Sequence, residues 1–358
     1  MKNRKINCLQ FSTFIPFFIT SSLIGISVNN VASIANNNSY ISVIGSYFIG
    51  FILIGLFMYL FKQNRKITDL TKDIFGEFLG NIINILLLLP IMIIGICEMY
   101  NICNFIVSQF LNETSITIIY IAFSLVILYG VYKGLETISR VNLILGCCSL
   151  TLFIINVIGL VKQFSFDNLL PFMQDGVTPV IDGSFILSLC SIVPIFILLT
   201  IPKENIVDNK KINKYIIIFY SIGMILALIH ITFTISILGT NLTNIYQYPE
   251  YMLLKKISFF NFLNRLENII AVHWIYRYFS VISVLLIFVK NLVNENTNSK
   301  VIPALTLILI IGFDALLFKN NTIFNNFIRY VYPYSNLFLV ILMFIISLGN
   351  YIKEKRTV

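Results

Sequence analysis

Charge is what this sequence has least of: only 11% of its 358 residues are Asp, Glu, Lys or Arg, where a soluble domain carries roughly 25%. That scarcity excludes a water-facing surface around a core of this size. With 58% of residues hydrophobic, most of the surface must meet lipid. There are only 2 histidines, and the sequence contains no P-loop, no HExxH and no Cys-Cys-His cluster with ligand spacing. We therefore expect no enzyme, no catalytic residue, no cofactor and no metal. The cysteines (Cys8, Cys97, Cys103, Cys147, Cys148 and Cys190) lie in apolar stretches or near the N-terminus. None is in a predicted external loop, which argues against disulfides.

The formal charge of +9 would suggest nucleic acid if Lys and Arg clustered on a folded aqueous face. They sit in short loops instead, so no nucleic-acid partner is expected. Lys2, Arg4 and Lys5 lead into an apolar stretch too long for a signal-peptide core, and an uncleaved first helix is expected.

A membrane crossing needs about 20 mostly apolar residues. Apolar windows bounded by polar clusters predict helices near 9–34, 41–61, 80–107, 116–132 and 141–161, then 183–202, 215–238, 266–289, 301–318 and 331–352. The whole chain, 1–358, reads as a single all-α, integral membrane domain embedded in lipid. With the N-terminus inside, the cytoplasmic segments hold eighteen Lys and Arg and the external ones six, counted off the sequence. That asymmetry places both termini in the cytoplasm.

Ten crossings divide into five plus five, about 9–161 and 183–352, as in inverted-repeat transporters that bind substrate at the bilayer midplane. Interruptions in the first helix of each half would fit such a bundle. Helix 1 has Thr20, Ser21, Ser22 and Gly25 mid-span, and helix 6 has Ser188, Cys190, Ser191 and Pro194. Backbone unwound there can point helix N-termini at a carboxylate and carbonyls at a cation. Packing by small residues with an ordinary Pro kink explains the same pattern equally well.

Residues 62–79 place Ile67, Leu70, Ile74 and Phe78 at helical spacing, which predicts a cytoplasmic surface helix. The external stretch 239–265 is long and aromatic, and such a loop should pack over the bundle mouth as a lid.

That loop carries a recognisable motif: Tyr248-Pro249-x-Tyr251, then Ile257-Ser258, Phe262, Arg265, Glu267 and Trp274. A second block is Gly134-Leu135-Glu136-x-Ile138-x-Arg140-Val141-Asn142, and a third runs from Asn168-Leu169-Leu170-Pro171 through Gly176 and Pro179 to Gly183-Ser184. In order and spacing these resemble the spore germination permease family of the amino acid, polyamine and organocation transporter superfamily. The chain departs from the family pattern at Phe259 and Phe260, where Gly is common. Val281 stands where helix 8 usually carries a basic residue, Arg277 lies one turn earlier, and Thr114-Ser115 replaces Thr-Pro at helix 4.

The resemblance implies the amino-acid-transporter-like subunit of a nutrient germinant receptor in the inner membrane of a dormant spore. It would bind a small nutrient, an amino acid or the like, and work with a larger membrane subunit and a lipoprotein. A proton- or sodium-coupled secondary amino-acid transporter is the alternative, and a ligand-free structural scaffold for the receptor is a third reading.

Within the helices, Arg277 is the sharpest anomaly, because a charge at the bilayer centre costs about 2.5–3.5 kcal/mol on insertion scales. It either binds a ligand carboxylate or pairs with Glu98. The pair is favoured, since buried ion pairs are commoner than free binding charges. Glu98 and Asn101 form a polar stripe on helix 3. Ser280 and Ser283 follow Arg277 at intervals of three and can serve an ion or a ligand, or bond their own backbone. His230 and His273 could relay protons but are more often satisfied locally. Asp182 reads as a helix cap, and Asp314 in helix 9 is open to either reading. Trp274 is a motif residue or an interfacial anchor. The expected ligand-binding set is Thr20, Ser21, Ser22, Gly25, Glu98, Asn101, Ser188, Ser191, Trp274 and Arg277.

Overall fold

The computed structural model describes residues 6–257, 267–293 and 300–357. Among the described residues, eight stretches are long and apolar enough to cross a membrane. The first, Cys8–Lys62, reverses at Asn36–Asn38 into two crossings, and the shorter apolar helix Val301–Leu317 adds another. The described residues thus form a multi-pass bundle of ten helices. Helices suit lipid because they satisfy every backbone N–H and C=O within the segment.

Helix 1 is assembled from Cys8–Ser12, Phe14–Ser21, Leu23–Ser27 and Val28–Ala35. Helices 2 to 5 follow as Ser39–Lys62, the latter part of Ile67–Gln109, Ile116–Lys133 and Leu135–Leu160. Helix 6 comprises Thr178–Leu187, a wide turn at Ser188–Ile192 and a tight one at Val193–Thr200. Helices 7 to 10 are Ile212–Ile245, Glu267–Val293, Val301–Leu317 and Tyr332–Thr357.

Local chemistry sets several of these boundaries. Ser115 Oγ accepts from the Thr117 N–H, so the serine in Thr114-Ser115 caps helix 4 itself. Gly134, at φ 95°, turns the chain from helix 4 into helix 5. Pro179 sits in the first turn of helix 6, where its missing N–H costs nothing. Helix 6 therefore begins five residues before the predicted boundary, and Asp182 lies exposed inside it instead of capping it. The predicted surface helix exists from Ile67, whose side chain is buried with that of Leu70, but it breaks at Gly76 (φ 81°). Phe78 consequently belongs to helix 3 and points outward.

Helices 2 and 6 touch through small residues. A Cβ added at Gly45 would stand 2.2 Å from Ser184 Oγ, and one at Gly183 would stand 2.6 Å from Ser42 Oγ. This seam holds helix 6 against helix 2. On the lysine-rich face, Ile6–Asn7 pairs in parallel with Ile206–Val207, and Cys8 Sγ donates to the Asp208 carbonyl at 3.1 Å. The start of the chain is thereby tied to the connection after helix 6. On the opposite face helix 7 kinks at Gly239 (φ 72°), and a short lid helix, Pro249–Leu254, turns inward. Asn168 Nδ2 secures the connection before helix 6 there by donating to the Ser236 carbonyl at 2.8 Å. The predicted lid residues Ser258, Phe259, Phe260, Phe262 and Arg265 lie outside the described residues.

Candidate functional site

The predicted interruption of helix 1 is present, whereas helix 6 keeps helical backbone and only widens at Ser188–Ile192 and tightens at Val193–Thr200 opposite it. In helix 1, Ile24 (φ −78°, ψ 113°) and Gly25 (φ 67°, ψ 4°) leave helical geometry. Gly25 is required twice: its φ is left-handed, and a Cβ there would stand 2.7 Å from Tyr248 Cε1 and 2.8 Å from Asn101 Oδ1. The break frees the Ile24 carbonyl, which accepts from Asn101 Nδ2 at 2.6 Å and from Tyr278 OH at 3.3 Å. Asn101 Nδ2 also donates to Tyr278 OH at 2.7 Å. Helices 3 and 8 thus take over hydrogen bonds that helix 1 surrenders, as a low-dielectric interior demands.

Hydroxyls join helices 1 and 6. Ser22 Oγ donates to Ser191 Oγ at 2.8 Å, and Ser27 Oγ lies 3.0 Å from the same atom. All three side chains are buried. Ser21 Oγ donates to Glu98 Oε1 at 3.2 Å, while Glu98 Oε2 is buried without a hydrogen bond.

The lid closes this centre from the face predicted to be external. Tyr248 OH donates to the Asn101 carbonyl at 3.1 Å and accepts from Asn104 Nδ2 at 2.8 Å. Behind it Trp274 packs tilted against Phe105, with centroids 5.1 Å apart, and edge-on to Tyr251 at 6.5 Å. Trp274 is 1% exposed, so it is a packing residue under the lid and not an interfacial anchor. Glu250 on the lid helix is buried, and neither carboxylate oxygen makes a hydrogen bond. Burial pushes its carboxyl up to about 8, with the nearby amides of Glu250 and Gly25 pulling the other way. Beside Gly25 a small polar hollow of about 50 Å³ reaches toward the exposed Arg329, past Asn29 and Asn244.

The remaining predicted residues are placed differently. Ser188 Oγ lies 2.9 Å from Ser46 Oγ of helix 2 and donates to the Ser184 carbonyl, so it belongs to the packing seam. Thr20 Oγ1 donates to its own helix at the Pro16 carbonyl. The Glu98–Arg277 ion pair does not form: Arg277 Nη1 instead donates to the Thr20 carbonyl at 3.3 Å, and Nε is buried without a hydrogen bond. Among the described residues no carboxylate makes a salt bridge to Arg277. Ser280 Oγ donates to Asn142 Oδ1 at 2.6 Å, and Asn142 Nδ2 donates to Thr13 Oγ1 at 3.1 Å. Asn142 closes the second sequence block, so that block ties helix 5 to helices 1 and 8. Ser283 Oγ, His230 Nε2 and both Asp314 carboxylate oxygens are buried without a hydrogen bond.

Ser27, Asn104, Tyr278 and Glu250 complete the centre but are absent from the expected set. Glu250 is the variable position inside Tyr248-Pro249-x-Tyr251, and Tyr278 follows Arg277 directly. Both stood beside recognised signals. Ser27 and Asn104 carry no distinguishing pattern.

Comparison with known proteins matches this arrangement. Spore germination protein KB of Bacillus subtilis (strain 168) is 23% identical over 271 residues, covering 75% of this chain and 72% of its own. Spore germination protein A2 of the same organism is 23% identical over 325 residues, covering 87% and 86%. Among solved structures, the nucleobase-cation-symport-1 family transporter MHP1, closed with bromovinylhydantoin bound, superposes with a TM-score of 0.68 at 12% identity. That match covers 95% of this chain and 78% of MHP1. A Na+-coupled sialic acid symporter in a substrate-bound outward-open state gives 0.60 at 12% identity, covering 94% and 78%. The two likenesses establish an all-α transporter-type bundle. The sequence profile described as spore germination protein matches residues 5–323, and the chain belongs to this spore permease family.

Proposed function

We propose that this chain is the transporter-like subunit of a spore germinant receptor, and that a small nutrient binds where helix 1 breaks against the wide turn of helix 6, flanked by helices 3 and 8. The observation that carries this reading is the contact of lid residue Tyr248 with Gly25, at a left-handed position with no room for a side chain. A lid residue seated on unwound backbone makes lid position depend on what occupies the break. An amino acid suits such a place, because freed carbonyls take its ammonium and freed amides its carboxylate. Binding then shifts the bundle between lid-closed and lid-open states, by as much as the nutrient prefers one over the other.

The lysine-rich face is taken as cytoplasmic, in the inner membrane of the spore, with both termini on that side and the lid outside. Helices 1–5 and 6–10 act as two inverted repeats around the site. The other receptor subunits, a larger membrane protein and a lipoprotein, receive the conformational change. Support comes from relatives that are spore germination proteins and from a bundle of transporter type.

Ser22→Ala and Ser191→Ala, placed in spores lacking the native copy, test the site. The expected result is an altered ratio of responses between nutrients, with the protein still present in the membrane. An unchanged nutrient preference in both variants would remove the hydroxyl centre from recognition.

A further inference from the structure

Beside the first half of helix 1, a second cavity opens between helices 1, 5 and 7. Its volume is about 290 Å³ and its walls are carbon: Pro16 and Phe17 of helix 1, Leu143 and Leu150 of helix 5, Phe219 and Ile222 of helix 7. Leu150 and Ile222 are 46% and 36% exposed on the lipid-facing surface, so the mouth opens sideways into the bilayer. The inner end is Arg277, 3% exposed. Its guanidinium has one hydrogen bond, to the Thr20 carbonyl near the end of Phe14–Ser21. That carbonyl supplies only a fraction of a counter-charge, and Nε is unbonded.

Three occupants compete. Water needs two to four polar partners; the hydroxyls of Thr13 and Thr20 are already committed to the carbonyls of Gln10 and Pro16, which leaves Ser149 as the one other hydroxyl on the wall. A purely apolar chain fills the walls but leaves a buried cation uncompensated, the costliest arrangement of the three. An anionic head on an apolar tail satisfies both ends at once. A planar carboxylate matches the guanidinium fork. At roughly 30 Å³ per heavy atom, as in liquid water, the cavity holds about ten such atoms, which is a carboxyl group with a short acyl tail. We propose that this cavity is a lateral site for a fatty-acid-like carboxylate, admitted from the membrane and held by Arg277. Because its ligand seats against the first half of helix 1, occupancy would bias the half-helix that precedes the break. The inference is independent of the nutrient reading, since Arg277 does not point into the hydroxyl centre's hydrogen-bond network.

The test is equilibrium binding of radiolabelled octanoate to the purified full chain in phosphatidylcholine nanodiscs, corrected with empty discs. Octanol, acetate and dioleoylphosphatidylglycerol serve as competitors. Saturable octanoate binding is expected, with octanol and acetate each weaker by at least about tenfold, because each lacks one of the two recognised parts. Arg277→Gln should lose binding and Arg277→Lys should retain part of it. Gly146→Leu covers the possibility that Arg277→Gln misfolds: a Cβ at Gly146 meets only Phe17 Cζ, at 3.9 Å, so the leucine fills the cavity and leaves Arg277 in place. It should also abolish binding. Octanol competing as well as octanoate, undiminished binding in Gly146→Leu, or tighter binding of the phosphatidylglycerol would each overturn the proposal.

Discussion

Asn101 Nδ2 lies 2.6 Å from the carbonyl oxygen of Ile24, directly before the chain turns left-handed at Gly25. The same nitrogen reaches Tyr278 OH, and the backbone carbonyl of Asn101 accepts from the lid's Tyr248. One residue of helix 3 therefore touches the helix 1 break, helix 8 and the lid. Asn101→Ala leaves a buried carbonyl with only the longer Tyr278 bond, at a cost of about 1–3 kcal/mol. The nutrient concentration for half-maximal germination should move by at least about fivefold, read as loss of optical density across a nutrient titration.

Gly25→Ala should be more severe. The left-handed φ alone costs about 1–2 kcal/mol for a residue with a Cβ, and the methyl overlaps Tyr248 and Asn101. Spores carrying it are expected not to respond at any nutrient concentration, with the protein still detectable by immunoblot. A wild-type response would show that the lid does not seat on Gly25.

Glu98 and Arg277 should each be sensitive to replacement, yet exchanging their charges should not restore function, because they contact different groups. Germination of the double variant Glu98→Arg with Arg277→Glu at the wild-type rate would re-establish a direct pair.

The lid should be pH-sensitive through Glu250. Its carboxyl is raised from its ordinary 4.5 to about 8 when the lid is docked, so the docked state holds a proton that the released state gives up between those values. Docking is therefore strongest below about 4.5, weakens as pH rises through the window, and levels off above about 8. Hydrogen–deuterium exchange of residues 249–254 should speed up across that range once corrected for the intrinsic rate. Glu250→Gln should flatten the dependence.

Much of this was legible in the sequence, because lipid imposes simple rules. Ten apolar runs and a lysine-rich set of connections follow from composition, Gly25 marks the helix that breaks, and Pro194 marks where helix 6 passes from a wide to a tight turn without breaking. The sequence misled where a side chain had two local options. Ser188 and Ser191 are three residues apart in one apolar run, yet the wide turn at Ser188–Ile192 sends one to helix 2 and the other to helix 1. The Glu98–Arg277 pairing followed from the cost of lone charges, but that argument names no partner. A serine hydroxyl and a backbone carbonyl took those places. Tyr278 was hidden because a tyrosine in an apolar helix carries no signal of which way it faces.

Coupling between helices 1 and 6 should be measurable. Ser22 and Ser191 share a buried hydrogen bond of 2.8 Å, and inter-helix polar pairs in membranes contribute about 0.6 kcal/mol on average. A double-mutant cycle with alanine, read by thermal unfolding of the purified chain, should give a coupling energy of that order. Additive losses would place the two hydroxyls in separate environments.

This bundle is expected to report a nutrient instead of accumulating it. Spores lacking the gene, exposed to a panel of amino acids and other nutrients, should lose germination to a defined nutrient, while vegetative cells lacking it take up that nutrient at the wild-type rate. Normal germination with lost uptake would contradict the account and make the chain a working transporter.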